Sequence, residues 1–546
     1  MPLAMASWRL AMSCETFPFD AQEELSFKSN PAIQRFGNRL YIDQTSIEFL
    51  SELLLIAVSE KKVGQTIISG ILPSYSVLKN WEQAQLEYAP KARLNLKLFS
   101  FLGASRLGSR HISHRDHYAD LLQELKPNII TEDSNRKEEI IRTLENLFVG
   151  FQGAGRGRTW CAQSFIPISK GFLSGETIWN ETEAKKNPPE NWTSILERIS
   201  TYLTMNKHRF LARGGEVLYL QICNGLRQTG ETIRQWVEQN GLSLHTHEQN
   251  PEWLRNELDL ELHNLMNRCP STLTDIAEFI DQGIESNTSR VTDQSKGDHR
   301  WVSAGWCANE SWQEGYLFAI ELLRLCKADL DMIDRLNLLE TACSMQVLRT
   351  LALQSARYIS SEYSIEWPNY RMAVSDSDEK RPVIKKISQN TVKTMEKQIF
   401  QSIRRNGVIL PQGEKQPDRS LNEADKHYAG KLFIGLAKRI GFIVPRRGRG
   451  ARFVLNERLL RFLVITTVPV GGRLTFDTFK RIVERHHGIV FDAQGFSRAN
   501  KWTEGKEIFL NSDTDSWLQN MLDASGMLIH LSDSCALVEN PSGLRN

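Results

Sequence analysis

The residues best suited to chemistry on a charged partner are arginines in a short glycine-containing segment. Arg446, Arg447 and Arg449 alternate with Gly448 and Gly450. Guanidinium groups donate hydrogen bonds to phosphate oxygens, and glycines let a turn approach a sugar–phosphate backbone closely. The pattern predicts contact with DNA or RNA. A solvated charged turn, or a surface for an acidic protein, is the alternative.

Positive charge is concentrated around this segment. Between Lys431 and His487 there are thirteen Lys and Arg residues and three acidic residues, a net charge of +10. The whole chain carries +2, so the remainder sums to about −8 by subtraction. A local excess of this kind indicates a defined footprint. The candidate nucleic-acid-binding residues are Lys431, Lys438, Arg439, Arg446, Arg447, Arg449 and Arg452.

The elements that must position these side chains can be predicted from periodicity. Apolar residues at spacings of three and four predict a helix before the turn, and Gly441 ends it. Short apolar runs at 442–444 and 453–455 predict two strands around the turn. A helix followed by a hairpin with a basic tip is the order found in a winged helix. The helical residues are Leu432, Phe433, Leu436 and Ile440.

The same order recurs near the C-terminus. Residues 515–524 predict a helix, and 527–531 and 536–538 predict two strands. With Thr475–His487 as an inner helix, residues 425–546 form a predicted tandem winged-helix-like module. His486 and His487 end that inner helix, where a charged histidine is favourable, and Gly488 is the expected C-cap.

The rest of the chain predicts a mainly α, multidomain protein. We expect a mixed helical domain at 1–130, a central helical domain at 131–372, and a linker with a connecting helix at 373–424. The longest helical pattern, Met332–Tyr358, carries a sustained apolar stripe, which is typical of a buried core helix. The stripe consists of Ile333, Leu336, Leu339, Ala342, Met345, Leu348 and Leu351.

Two other motifs favour structural roles. His111 and His114 can share a helix face, but His117 lies about 120° away, which weakens a three-histidine metal site. The glycine cluster at 150–157 lacks the Lys-Ser/Thr of a phosphate loop and follows a helix instead of preceding one. We therefore expect no metal and no cofactor.

One rival motif would make the protein an enzyme. Asp492, Glu504 and Lys506 have the residue order of a metal-dependent nuclease, which needs the Glu and Lys on a strand. The stretch 502–507 is polar and contains Gly505, which is a poor central strand. No other arrangement of nucleophile and base is defensible, so we assign no catalytic residue.

Composition restricts the class of protein. The chain is 41% hydrophobic and 24% charged, as in a globular protein, and no run reaches the ~18–20 apolar residues of a membrane span. No secretory signal is recognisable. The eight cysteines are scattered without a CxxC pair, and Cys326 and Cys343 are expected to be reduced core residues. These features predict a cytoplasmic protein without a membrane partner.

Three phrases of the sequence resemble those of a known family. They are LNLKLFSFLGASRLGSRHISHRDHY (94–118), RTWCAQSFIPIS (158–169) with FLARGGEVLYLQICN (210–224), and the block from Gly450 to Asp492. Together they are similar to the second, accessory component of Druantia-type bacterial anti-phage defence systems. They cover less than a third of the chain and contain no catalytic motif. The resemblance implies a protein that works beside a very large helicase on foreign DNA.

The sequence as a whole therefore predicts a non-enzymatic DNA-binding or adaptor subunit of a multigene defence complex. Two other functions stay open. One is a metal-dependent nuclease of the same system that uses Asp492, Glu504 and Lys506. The other is a structural scaffold whose basic wing binds an acidic protein partner.

Overall fold

Helical periodicity dominates the chain, and the computed structural model is mostly helical, as predicted. The structure describes residues 35–36, 38–39, 44–104, 115–131, 133–150, 160–204, 212–268, 271–281, 301–360, 367–404, 417–508, 510, 514–532 and 535–543.

The α-helices are numbered in chain order. They are α1 Ser46–Val58, α2 Tyr75–Lys79, α3 Leu94–Leu98, α4 Arg115–Leu125, α5 Ser134–Val149, α6 Glu181–Lys186, α7 Trp192–Glu197, α8 Ile199–Tyr202, α9 Gly214–Leu226, α10 Gly230–Asn240, α11 Pro251–Asn267, α12 Ser271–Asp281, α13 Trp312–Lys327, α14 Met332–Ile359, α15 Pro382–Ile403, α16 Pro417–Asp425, α17 Gly435–Arg439, α18 Glu457–Thr467, α19 Phe476–His487, α20 Ala493–Trp502 and α21 Ser516–Ala524. Two segments are π-helical, Phe99–Ala104 and Lys426–Ile434.

The strands are short. They are β1 Asn38–Arg39, β2 Glu60–Val63, β3 Thr66–Ile68, β4 Leu86–Ala89, β5 Ile178–Trp179, β6 Leu203–Thr204, β7 Ala212–Arg213, β8 Val302–Ser303, β9 Met372–Ser375, β10 Ile443–Val444, β11 Arg452–Val454, β12 Arg473–Thr475, β13 Ile489–Val490, β14 Leu528–Ser532 and β15 Cys535–Glu539. In the first half, β3, β2, β4 and β8 form one sheet, and β1–β7 and β5–β6 form pairs.

Helices α9, α13 and α14 form the centre of the larger core. Small residues allow α9 and α13 to approach closely: a Cβ at Gly315 would lie 2.0 Å from the carbonyl oxygen of Gln221. The buried apolar residues of this core extend from Phe36 to Val538, so the central helices and the C-terminal elements share it. A second core is built from residues between Leu94 and Ile280. The domain bounds stay a prediction.

The predicted core helix at 332–358 is confirmed as α14, with one difference. Leu336, Leu339 and the rest of the stripe are buried, but Ile333 is 65% exposed. Ile333 lies in the first turn of the helix, two residues after the N-cap Asp331. The prediction that Ile333 belongs to the core was therefore wrong.

The first predicted hairpin is present and belongs to a larger sheet. β10 pairs with β11 in antiparallel orientation, with Ile443 opposite Phe453. β11 then lies parallel to β9, and β9 lies parallel to β13, giving the order β10-β11-β9-β13. β9 is buried at all four positions, so the stretch 372–375 is an inner strand of this sheet.

The second predicted hairpin is also present. β14 and β15 are antiparallel, and β12 pairs with β15, giving the order β12-β15-β14. The inner helix predicted at 475–487 is α19, whose N-cap is Thr475.

The predicted connecting helix within 373–424 is α15, which starts at Pro382, because proline is favoured at the first helical position. Ile384 and Ile387 of this first part pack with Val490 and Phe496 in a small third core.

No helix in the described ranges is both long enough and apolar enough to cross a bilayer. Cys326 and Cys343 are buried free thiols, as predicted. Burial raises the pKa of the Cys326 thiol to about 12, which keeps it protonated and unreactive.

Candidate nucleic-acid interface

The basic turn is held by a buried aromatic base. The rings of Phe442 and Phe453 lie 4.9 Å apart, and both side chains are fully buried. Asn456 fixes the preceding helix end, since its amide donates to the carbonyl oxygen of Ile440 at 2.8 Å. Residues 445–450 therefore project from a rigid base.

Three of the predicted residues lie at the surface of this turn. Arg446, Arg447 and Arg449 are exposed and have no hydrogen-bond or ion-pair partner within the described part of the chain. Gly448 and Gly450 have φ values of +97° and +87°, a region that other residues rarely adopt. The turn thus presents three guanidinium groups that are free to meet an anionic partner.

Arg452, the fourth predicted residue near the turn, is hydrogen-bonded within the protein. Its Nη1 atom donates to the carbonyl oxygen of Asp376 at 2.8 Å and to the hydroxyl of Ser375 at 3.1 Å, and Nη2 donates to the carbonyl oxygen of Ser377. The pKa of Arg452 is lowered because partial burial outweighs the opposite effect of the acidic groups nearby. The side chain ties β11 to the end of β9.

The remaining three residues lie on the helix before the turn. Arg439 donates to the carbonyl oxygen of Gln44 and so links the helix to the N-terminal part of the chain. Lys438 is half-buried, and its charge acts on Glu396 of α15. Lys431 is also half-buried. The pKa of His427 is lowered mainly by burial and further by the charge of Lys431.

The predicted set did not include a row of lysines on α15. Lys386, Lys393 and Lys397 are exposed and follow the spacings of seven and four residues that place side chains on one helix face. This spacing is visible in the sequence, but the stretch was assigned to a linker and connecting helix. An added Cβ at Gly450 would lie 3.4 Å from the Nε2 atom of Gln389, so the turn meets α15 one helical turn before Lys393.

Acidic groups border the other side of the turn. Asp376, Asp378 and Glu379 follow β9, and all three act electrostatically on Arg452. Glu379 is paired with Arg381 at 2.7 Å, whereas Asp378 is exposed. The positive potential is therefore strongest at the tip of the turn and toward α15.

The three residues of the rival nuclease motif do not lie on a strand. Asp492 is the N-cap of α20, where its carboxylate accepts from the amide of Gly495 at 2.7 Å. Glu504 lies in an exposed turn with φ +59°, and Lys506 follows in an exposed irregular segment. This differs from the strand-borne Glu and Lys that such a nuclease needs.

Lys480 joins three acidic groups at the start of three helices. Its ammonium lies 3.0 Å from Asp477 and 3.7 Å from Asp492, and it donates to Asp515. Burial lowers the pKa of Lys480, but the hydrogen bonds to Asp515 and Asp477 outweigh burial and raise it. This ion cluster connects α19, α20 and the start of α21.

The histidine motif and the glycine cluster fall largely outside the described residues, which include neither His111 and His114 nor the cluster glycines Gly153, Gly155 and Gly157. His117 is buried with its ring 5.8 Å from that of Trp192. No group of three or more His, Cys, Asp or Glu in the described part of the chain is arranged to hold a metal ion.

The histidines that end α19 are buried and neutral, so the prediction of a charged helix end was wrong. Burial, reinforced by Arg324, Arg349 and Arg485, lowers the pKa of His486 to about 3. The Nη2 atom of Arg349 donates to Nδ1 of His487 at 3.0 Å. This end of α19 is buried against helices α13, α14 and α18 and does not lie at the surface. Gly488, with φ +65°, is the predicted C-cap.

Comparisons with known proteins find no significant match among family models, curated proteins or solved structures.

Proposed function

We propose that this protein is a cytoplasmic, DNA-binding adaptor subunit of a multigene bacterial anti-phage defence complex, and not an enzyme. The observation that carries the proposal is the presentation of Arg446, Arg447 and Arg449 on a projecting turn without partners among the described residues. Exposed arginines on a turn with a packed base suit phosphate contacts, because phosphates supply most of the affinity of non-specific binding.

The C-terminal topology supports a winged-helix interpretation of residues 457–539. The order is helix α18, strand β12, helix α19, helix α21 and hairpin β14–β15, with β13 and α20 inserted before α21. The first strand lies antiparallel beside the last one, as in winged helices. Such modules bind nucleic acids, and some bind proteins, so the module alone does not decide the partner.

The unit that carries the basic turn resembles a winged helix less closely. Its first strand, β9, also lies beside its last strand, β11, but the two are parallel. We therefore propose that the turn 445–450 acts as a wing on a mixed sheet, and that the more regular winged helix follows it.

The partner subunits in this proposal come from the sequence resemblance. A very large helicase would supply the motor, and the central helices of this chain would hold the complex together. The exposed basic turn would hold the DNA on which the helicase acts.

The test is a salt series of DNA-binding measurements by fluorescence anisotropy. The triple variant Arg446→Ala, Arg447→Ala, Arg449→Ala removes three phosphate contacts. The slope of log K against log salt is negative, and its magnitude is then expected to decrease by about 2.7, at ~0.9 per contact. Thermal unfolding of the variant is expected to match that of the parent protein, because the three side chains make no hydrogen bond or ion pair with any described residue.

A matched control removes the same charge elsewhere. Arg136, Lys185 and Lys186 are exposed on α5 and α6, and their replacement by Ala should leave the slope unchanged. Equal slopes for the parent and the Arg446/Arg447/Arg449 variant would refute the assignment. Binding of an acidic protein with no DNA binding would support the scaffold function instead.

A further inference from the structure

An open groove runs between α15 and the helical segment that follows it. It has a volume of about 520 Å³. The lining residues are Glu396, Lys397, Phe400, Asn422, Asp425, Lys426, Ala429 and Gly430. One wall is α15, and the other is α16 with the π-helical segment 426–434. Segments of π-helix are rare and occur frequently at functional sites.

Both carboxylates of the groove have cationic neighbours. Lys397 and Lys426 lie on opposite walls, and the ammonium groups of Lys393 and Lys438 act on Glu396 at the edge. Of the two carboxylates, Asp425 is neutralised by Arg404, whose Nη1 and Nη2 atoms donate to it at 2.8 and 2.6 Å. The lining itself carries two lysines and two carboxylates, and three further cationic side chains, Arg404, Lys393 and Lys438, flank the carboxylates.

An aromatic ring lies exposed in the same groove. Phe400 is 42% exposed, and the guanidinium of Arg404 lies 3.4 Å from its ring centroid. The bidentate pair with Asp425 holds that guanidinium in place. A fixed stack of a guanidinium on a half-exposed ring is a platform on which a base can stack.

A glycine opens the opposite wall. A Cβ added at Gly430 would meet no atom within 4 Å, so the wall there leaves free space for a ligand. The volume of about 520 Å³ lies within the ~300–1,000 Å³ of sites that take a ligand the size of a nucleotide. A single strand fits such a space.

The groove is continuous with the basic turn. Gln389, which meets Gly450, lies one helical turn before Lys393, and Lys397 and Phe400 follow on the next turns of α15. The distance along the helix from Gln389 to Phe400 is about 16 Å, at ~1.5 Å per residue.

We infer that this groove binds single-stranded nucleic acid, with Lys393, Lys397 and Lys426 on phosphates and a base against Phe400. The strand passes from the arginines of the turn along α15 into the groove. The inference rests on the proposed DNA-binding function and makes it more specific, because it assigns a single strand as the ligand.

The most discriminating test places one charge in the groove without disturbing the fold. Gly430→Glu puts a carboxylate into open space, and Gly430→Gln is its uncharged match. Binding of an oligothymidylate of about ten nucleotides is expected to weaken about fivefold or more in the Glu variant relative to the Gln variant. Equal affinity of the two variants for the oligothymidylate would overturn the inference.

A second variant tests the stacking platform. Phe400→Ala is expected to weaken oligothymidylate binding about tenfold and to leave binding of a blunt hairpin duplex almost unchanged. A fall of the same size for both ligands, or for neither, would contradict the inference.

The two proposals fail in different ways. If the parent protein binds neither ligand, the proposed function is wrong. If the parent protein binds DNA through the turn arginines while the Gly430 and Phe400 variants bind like the parent, only the groove assignment is wrong.

Discussion

The guanidinium of Arg452 donates to the backbone oxygen of Asp376 at 2.8 Å, although the two residues are 76 positions apart. This contact fastens the base of the basic turn to the carboxyl end of strand β9. It separates Arg452 from the exposed arginines beside it in the sequence, because a guanidinium that satisfies three protein oxygens has little left for a phosphate.

We expect Arg452→Ala to reduce stability more than affinity. Loss of hydrogen bonds from a charged group costs about 1.5–3 kcal/mol, and the free energy of unfolding should fall by that order. Chemical denaturation measures the cost, and anisotropy with DNA measures the affinity. A large loss of affinity at unchanged stability would instead make Arg452 a phosphate ligand.

Removal of one negative charge near the turn should strengthen DNA binding. Asp378 is exposed and acts electrostatically on Arg452, so it also repels phosphates at that edge. Asp378→Asn is expected to raise affinity about two- to fivefold at low salt, and the gain should shrink as salt screens the charge. Glu139→Gln, at an exposed acid of α5, serves as the control and should have no effect.

Removing one member of the buried Arg349–Glu321 pair should reduce the free energy of unfolding more than removing both. The two groups lie 2.5 Å apart and are 2% and 1% exposed. Arg349→Met leaves a buried carboxylate unpaired and is expected to cost about 3–5 kcal/mol of unfolding free energy. The double variant with Glu321→Leu should recover much of this loss in urea denaturation. Equal costs for the single and double variants would contradict a dominant unpaired charge.

Stability should decrease with acid in a way that depends on His486. Its pKa is about 3 in the folded protein and about 6.5 when unfolded, so the unfolded state binds more protons below pH 6.5. The contribution of neutral His486 is complete above about pH 6.5 and is lost as pH falls toward 3. Between pH 6.5 and 5 the loss is about 2 kcal/mol.

The measurement is urea denaturation at both pH values, with His486→Asn as the comparison. The variant should lose about 2 kcal/mol less than the parent protein over the same interval, since asparagine cannot take up a proton. Parallel losses in the two proteins would show that His486 is not the group responsible.

Local patterns in the sequence determined the elements of this protein. The stripe at 332–358 predicted α14, and the apolar runs on either side of residues 445–450 and at 527–538 predicted both hairpins. Gly441 and Gly488 marked helix ends, because a positive φ at a C-cap is a local requirement. The three exposed arginines were also identified from type and spacing alone.

Only the tertiary structure decided how these elements meet. Strand β9 pairs with partners about 80 and 117 positions further along the chain, between Val374 and Phe453 and between Met372 and Ile489. The four residues of β9 carry no local signal for such parallel pairing. The same long-range packing buried His486 and His487, occupied Arg452 and Arg439 with backbone oxygens, and placed the lysines of α15 next to the basic turn. A side chain's partners depend on which surface its element meets, and neither periodicity nor composition contains that information.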